Sequence, residues 1–239
     1  MDNKKELNSI LFLDIETVPR WPDYASVPEP FRALWDHKCQ FLRKNEDDTS
    51  ESLYNRAGIY AEFGKIICIC IGRFEGDAFL MRSFSGDDEA LLLDEFCSYI
   101  DRRSQKYKIL LAAHNGKEFD FPYIARRLHA HHRRLPSIFD TSALKPWEIP
   151  HIDTMEMWKF GDYKSYTSLV LMCAVLGIST PKGDMEGSQV AGVYWNEKDL
   201  KRIVKYCLGD TLTVARLYCH LKYHPPIADG DVALESIDN

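Results

Sequence analysis

The sequence predicts an α/β domain built on a mixed sheet flanked by helices. Five short apolar runs have strand character, and helical stretches lie between and after them. The chain order is three strands, a helix, a strand, a helix, a fifth strand and then further helices, which is an α/β pattern.

The first strand is Ile10-Leu11-Phe12-Leu13-Asp14-Ile15-Glu16-Thr17. Four of the five residues from Ile10 are apolar, as in a buried strand. Asp14 falls where that strand crosses a core, and a buried carboxylate is costly unless a cation or hydrogen-bond donors meet it. Glu16 follows two residues later and points to the same face of an extended chain. Two like charges held side by side call for something positive, most simply a divalent metal. The plain alternative is a solvated strand end.

Residues 20–61 follow, with Pro22, Pro28 and Pro30 punctuating the first half. Helical spacing runs from Phe31 to Leu42, and Asn45 to Glu51 is a polar, acidic loop. The segment reads as an insertion over one face, either the wall of a site or a surface decoration.

Lys65 to Phe74 is the second strand, Gly76-Asp77 a hairpin turn, and Ala78 to Phe84 the third strand. Ser85-Gly86-Asp87-Asp88-Glu89 opens a helix with carboxylates in its first turn, running to about Arg103. Ile109 to Ala113 is the fourth strand. His114-Asn115-Gly116-Lys117 turns into a helix from near Phe121-Pro122 to about Ala130. Asp120 stands at its start, where capping is the ordinary role of aspartate. The basic, histidine-rich stretch from Arg126 to Arg134 reads as solvated surface, with phosphate contact as the alternative.

Ile149 to Asp153 is the fifth strand, Met155 to Phe160 a helix, and Ser168 to Leu176 an apolar helix stopped by Gly177. Pro181 to Gly187 is a loop. Asn196, with Asp199 three residues on, caps a final helix reaching about Tyr223, and residues 224–239 read as a tail. In that helix Tyr206 and Asp210 are one turn apart and share a face. Ile203, Val204, Leu208 and Leu212 make the neighbourhood apolar, so an unpaired Asp210 is expensive there. An arginine partner, Arg202 or Arg216, is the alternative.

At 239 residues the chain has room for one sizeable domain or two small ones. No apolar run is long enough to cross a membrane, so no membrane partner is expected. Met1 to Glu6 leads into a strand rather than a signal-peptide core, and the expected location is cytoplasmic. Seven scattered cysteines without a Cys-x-x-Cys pair argue against a disulfide frame or a zinc ribbon and read as small buried hydrophobes. The net charge of −6 argues against nucleic-acid binding by bulk electrostatics. It leaves open an acidic metal site, because bound divalent ions invert the local potential.

Asp14-x-Glu16 on the first strand, Asp120 after Asn115-Gly116, and Tyr206-x-x-x-Asp210 on the last helix resemble the three motifs of the DEDD 3′–5′ exonucleases. The fold this implies is ribonuclease-H-like, with a five-stranded mixed sheet. Glu62-Phe63-Gly64-Lys65, His151-Ile152-Asp153-Thr154 and Lys182-Gly183-Asp184 with Gly187-Ser188-Gln189-Val190 look like the stand-alone family related to the proofreading exonuclease domain of family-B DNA polymerases. The resemblance runs from about Ile10 to Tyr223. Tyrosine four residues before the aspartate, with Lys205 ahead of it, matches the tyrosine (DEDDy) subclass.

The resemblance implies a single exonuclease domain over residues 1–223 with two divalent ions, Mg²⁺ or Mn²⁺, as cofactors. Asp14 would bridge both ions, Glu16 and Asp210 would complete the water-activating site, and Asp120 would hold the second ion through water. Tyr206 would hydrogen-bond the attacking water. The main chain at Thr17 would meet the 3′-hydroxyl, and Asn115 would be a polar contact. Phe119, Phe12 and Trp147 are stacking candidates, with core packing the other reading of Phe12 and Phe119. Asp153 is either a supporting carboxylate or a helix cap. The expected activity is release of mononucleotides from the 3′ end of single-stranded DNA, alone or beside a separate polymerase or repair partner. An RNA or short-oligonucleotide 3′ exonuclease and an inactive nucleic-acid-binding scaffold are the alternatives.

Overall fold

Strand β1, Ile10–Pro19, runs through the centre of the molecule with almost every residue buried. The structure is a computed structural model and describes residues 7–162, 164–180 and 185–235. The expectations for Met1 to Glu6, for Lys182-Gly183-Asp184 and for the last four residues lie outside that range.

The sheet has the order β5-β4-β1-β2-β3-β6. β2 is Gly64–Glu75, β3 Ala78–Ser85, β4 Leu110–Ala113, β5 Ile152–Asp153 and β6 Val232–Leu234. β1, β2 and β3 pair antiparallel. β4 lies parallel to β1, β5 to β4, and β6 to β3. The sheet thus has six strands where the sequence predicts five. The extra strand comes from the expected tail, where Val232 registers with Phe79 and Leu234 with Met81. Three residues behind a proline pair carry too little periodicity to show as a strand. Tertiary contacts fix β6, through a Glu235 N–H bond to the Met81 carbonyl at 2.7 Å and an Arg73–Glu235 ion pair at 2.6 Å.

Alternation along β1 divides the core. Leu11, Leu13 and Ile15 face helices α2 (Glu89–Ser104) and α3 (Asp120–Ala130). Ile10 and Phe12 face the other way, onto the last helix. Phe12 is fully buried among Phe74, Phe79 and Tyr218, a packing role that each such side chain rewards with about 1.5–3 kcal/mol. Asp14 and Glu16 continue this second face. β1 meets β2 with Asp14 opposite Cys70 and Glu16 opposite Cys68, and the register shifts just after Glu16.

Inside residues 20–61, helix α1 (Phe31–Cys39) and a 3₁₀ turn (Tyr54–Ile59) close over a small core of their own. Trp35 is fully buried there and donates its indole N–H to the Ser50 carbonyl at 2.8 Å.

Asp88 caps α2 by accepting from the N–H groups of Ala90 and Leu91, the start that the acidic stretch predicts. Helices α4 (Thr154–Lys159) and α5 (Leu169–Leu176) follow, the latter closed by Gly177 at φ +65°. The final helix, α6, is Leu200–Leu221. Its cap is Asp199, which accepts from Arg202 N–H at 3.0 Å, while Asn196 sits in the preceding turn Val193–Glu197.

The basic stretch on α3 is only partly surface. Arg127 is buried and holds Glu89 through two bonds, Nε–Oε1 at 2.9 Å and Nη2–Oε2 at 2.6 Å. Its Nη1 reaches the Ala61 carbonyl, and His131 also meets Glu89. Arg127 lies on the inward face of the helix, which the run of basic letters hides. Among the described residues no helix is long and apolar enough to cross a membrane.

Candidate active site

Three elements bring the four carboxylates together. β1 supplies Asp14 and Glu16, the first turn of α3 supplies Asp120, and the middle of α6 supplies Asp210. Asp120 does not cap its helix. Its Oδ1 accepts from the Ile15 N–H of β1 at 3.2 Å, which ties α3 to the strand between the two β1 carboxylates. Asp210 is not paired with either arginine expected of it. Arg216 binds Asp229, and Arg202 binds Glu197 at 2.9 Å. Asp210 instead lies one turn from Tyr206, whose phenol its charge helps to raise.

The electrostatics follow from this crowding. Burial, then repulsion from Glu16, Asp120 and Asp210, holds the Asp14 carboxyl well above the usual carboxylate range. Glu16 is raised by burial and by its charged neighbours, Asp210 by burial, and burial pushes Asp120 up to about 7. Burial and the nearby carboxylates also raise the Tyr206 phenol, so it stays protonated at neutral pH. The Asp14 side chain carries the plainest mark of a missing partner. Its Oδ2 is buried with no hydrogen bond, and among the described residues no ion pair reaches any of the four carboxylates. A hard, oxygen-seeking divalent cation fits that donor set.

The loop from β4 to α3 is fixed by Asp153. One oxygen accepts from the Asn115 and Met155 N–H groups, both at 2.9 Å, and the other from Lys117 N–H at 3.1 Å. Asp153 therefore caps α4 and anchors the turn that leads to Asp120. Asn115 has φ +62°, a conformation asparagine tolerates better than most residues. Gly116 is required because a Cβ there would lie 2.4 Å from Ala113 Cβ and 2.9 Å from the Phe121 ring. His114 braces the same turn through Thr154 at 2.9 Å and the Thr167 carbonyl at 3.0 Å.

Of the expected substrate contacts, Thr17 is half-buried just beyond Glu16, and Asn115 is half-buried at the turn. Phe119 is half-buried with its ring 5.3 Å from that of Tyr123. Phe12 is core, and Trp147 is exposed on the turn Pro146–Glu148.

Sequence reading passed over three residues at the floor of the site. Cys68 and Cys70 stand opposite Glu16 and Asp14 in the sheet, and the Cys207 thiol donates to the Asp14 carbonyl at 3.4 Å. The Cys-x-Cys alternation on β2 and the position of Cys207 beside Tyr206 were the available signs.

The model of a family described as a predicted 3′–5′ exonuclease related to the exonuclease domain of PolB matches residues 59–234. That span contains Asp120, Tyr206 and Asp210 and begins after Asp14 and Glu16. No curated protein matches the chain. Among solved structures, the chain resembles the family B DNA polymerase from the hyperthermophilic archaeon Pyrobaculum calidifontis, with a TM-score of 0.56 and 13% identity over 88% of this chain. At that identity the likeness shows the fold, a ribonuclease-H-like one. The chain spans 24% of the polymerase.

Proposed function

The chain belongs to the family of predicted 3′–5′ exonucleases related to the exonuclease domain of PolB, and on that premise we propose that it removes mononucleotides from the 3′ end of single-stranded DNA. One observation supports this most: four carboxylates from three elements converge, with Asp14 Oδ2 buried and unpartnered. Asp14, Glu16, Asp120 and Asp210 would hold two Mg²⁺ or Mn²⁺ ions. When bound, such ions lower the pKa of water and offset charge on the leaving oxygen. The proposed domain is residues 1–223 with 20–61 as its insertion, completed at the sheet edge by β6. All seven cysteines are free, which fits a reducing compartment such as the cytoplasm.

The protein's own groups have distinct tasks in this reading. Tyr206 keeps its proton and orients the attacking water through its hydroxyl; its raised pKa disqualifies it as the base. The main chain at Thr17 meets the terminal 3′-hydroxyl. Asn115 contacts the terminal nucleotide, and Phe119 offers a stacking face beside it. Asp153 holds the Asn115 turn in register with Asp120.

A 5′-labelled oligonucleotide incubated with and without Mg²⁺ or Mn²⁺ tests the proposal. The expected result is a ladder shortening from the 3′ end that needs metal and vanishes in Asp14→Ala. Full activity in that variant, or digestion from the 5′ end alone, overturns it. Matched RNA and DNA strands in competition decide the sugar preference, and faster loss of the RNA reassigns the substrate.

A further inference from the structure

Three of the seven cysteines gather at one place. Cys68 and Cys70 are two apart on β2 and share a face, and Cys207 reaches them from α6. Their sulfurs lie within 4.8 Å of one another, and the Cys68–Cys70 pair is 3.6 Å apart. A tetrahedral zinc centre with bonds of about 2.3 Å sets its sulfurs about 3.8 Å apart, so the thiols already stand near coordinating separation. All three are buried. Among the described residues none of the other four cysteines joins a comparable group.

The surroundings distinguish this cluster from ordinary packing. Cys207 Sγ also lies within 4.8 Å of ligand oxygens of Asp14 and Glu16. A fourth, oxygen ligand is therefore in reach on one side.

We infer that Cys68, Cys70 and Cys207 form a binding site for a thiophilic divalent cation of the zinc or cadmium class, lying behind the four carboxylates. Each thiol that coordinates releases one proton to solvent, and the metal keeps its oxidation state. The ion brings positive charge into a pocket of buried carboxylates. Its softness separates it from the Mg²⁺ or Mn²⁺ site, because thiolate favours zinc-class ions and carboxylate favours hard ones.

Cobalt(II) serves as the probe, because thiolate coordination gives it a charge-transfer band that oxygen ligands do not. The reduced, metal-free, full-length protein is titrated with Co²⁺ and then with Zn²⁺. The expected result is one equivalent of thiolate-bound cobalt, displaced by Zn²⁺ and retained in excess Mg²⁺. The band persists in Asp14→Asn and Cys97→Ser and is lost in Cys68→Ser and in Cys207→Ser. No thiolate band in wild-type protein overturns the inference whether or not the variants fold. So does a band that excess Mg²⁺ abolishes, or one that survives the Cys68→Ser/Cys207→Ser double substitution. A wild-type band in a protein without exonuclease activity supports this site and counts against the proposed function alone.

Discussion

Replacing Asp120 by asparagine separates the electrostatic cost of the site from its geometry. The asparagine Oδ1 can still accept from the Ile15 N–H, so the tie between α3 and β1 is kept while the charge goes. In the folded protein burial moves this carboxyl from 3.8 to about 7. That is about 3 units at about 1.4 kcal/mol each, or about 4 kcal/mol. The sign follows from proton counting. The unfolded chain gives up this proton near pH 4, while the folded protein keeps it to about pH 7, so between those values the folded state binds more protons. Wild-type stability therefore falls as pH rises through that window and levels off above it. Asp120→Asn lacks that loss. Urea unfolding with a chelator present should find the two proteins equal near pH 4 and the variant more stable by about 4 kcal/mol at pH 8. If Asp120 is a ligand as proposed, Mn²⁺ has the opposite preference: at 100 times its dissociation constant it should add about 2.7 kcal/mol to wild type and less to the variant. A stability difference that does not change between pH 4 and pH 8 would refute the claim that this carboxylate is held at a cost in the metal-free fold.

The other predictions concern Tyr206 and the Glu89–Arg127 network. Tyr206→Phe should lower kcat by the order of 100-fold with little change in KM, and should leave stabilisation by Mn²⁺ intact; an unchanged kcat removes Tyr206 from the mechanism. Glu89→Ala leaves the Arg127 guanidinium buried without its partner and should cost about 3–5 kcal/mol in urea unfolding, whereas Glu89→Leu with Arg127→Met should recover most of it. Burial raises the Glu89 carboxyl, but the bonds and charge of Arg127 outweigh it and hold it below its ordinary value. Its stabilisation is therefore complete above about pH 4.5 and is lost as pH falls through the lowered value, so Glu89→Ala should flatten the acid limb of the stability curve.

Local spacing made much of this legible. Two-residue alternation placed Asp14 and Glu16 on one face of β1, and the four-residue step placed Tyr206 beside Asp210 on α6. Those relations depend only on strand and helix periods, which the chain carries in its order of letters. What depends on tertiary approach was not legible. Asp120 reads as a cap because it begins a helix, yet its oxygen turns to a strand more than a hundred positions earlier. Arg127 looks like one member of a surface run until Glu89 is brought against it from α2. β6 is too short to announce itself, and Cys207 meets Cys68 and Cys70 only after α6 packs on the sheet.

One alternative was decidable from the sequence by a step of helix geometry. Arg216 is six residues beyond Asp210, about 240° further round α6, and so faces away from it. Arg202 lies eight residues before, more than two turns off along the axis, and is bound to Glu197 beside its own end of the helix. Neither can balance Asp210, and the neighbour one turn away on the same face, Tyr206, is neutral. The same holds across the sheet, where β2 presents thiols to Asp14 and Glu16 rather than lysine or arginine. Four carboxylates crowd together, and among the described residues no cation of the chain is paired with any of them. That arrangement, more than any single motif, is what the exonuclease reading explains.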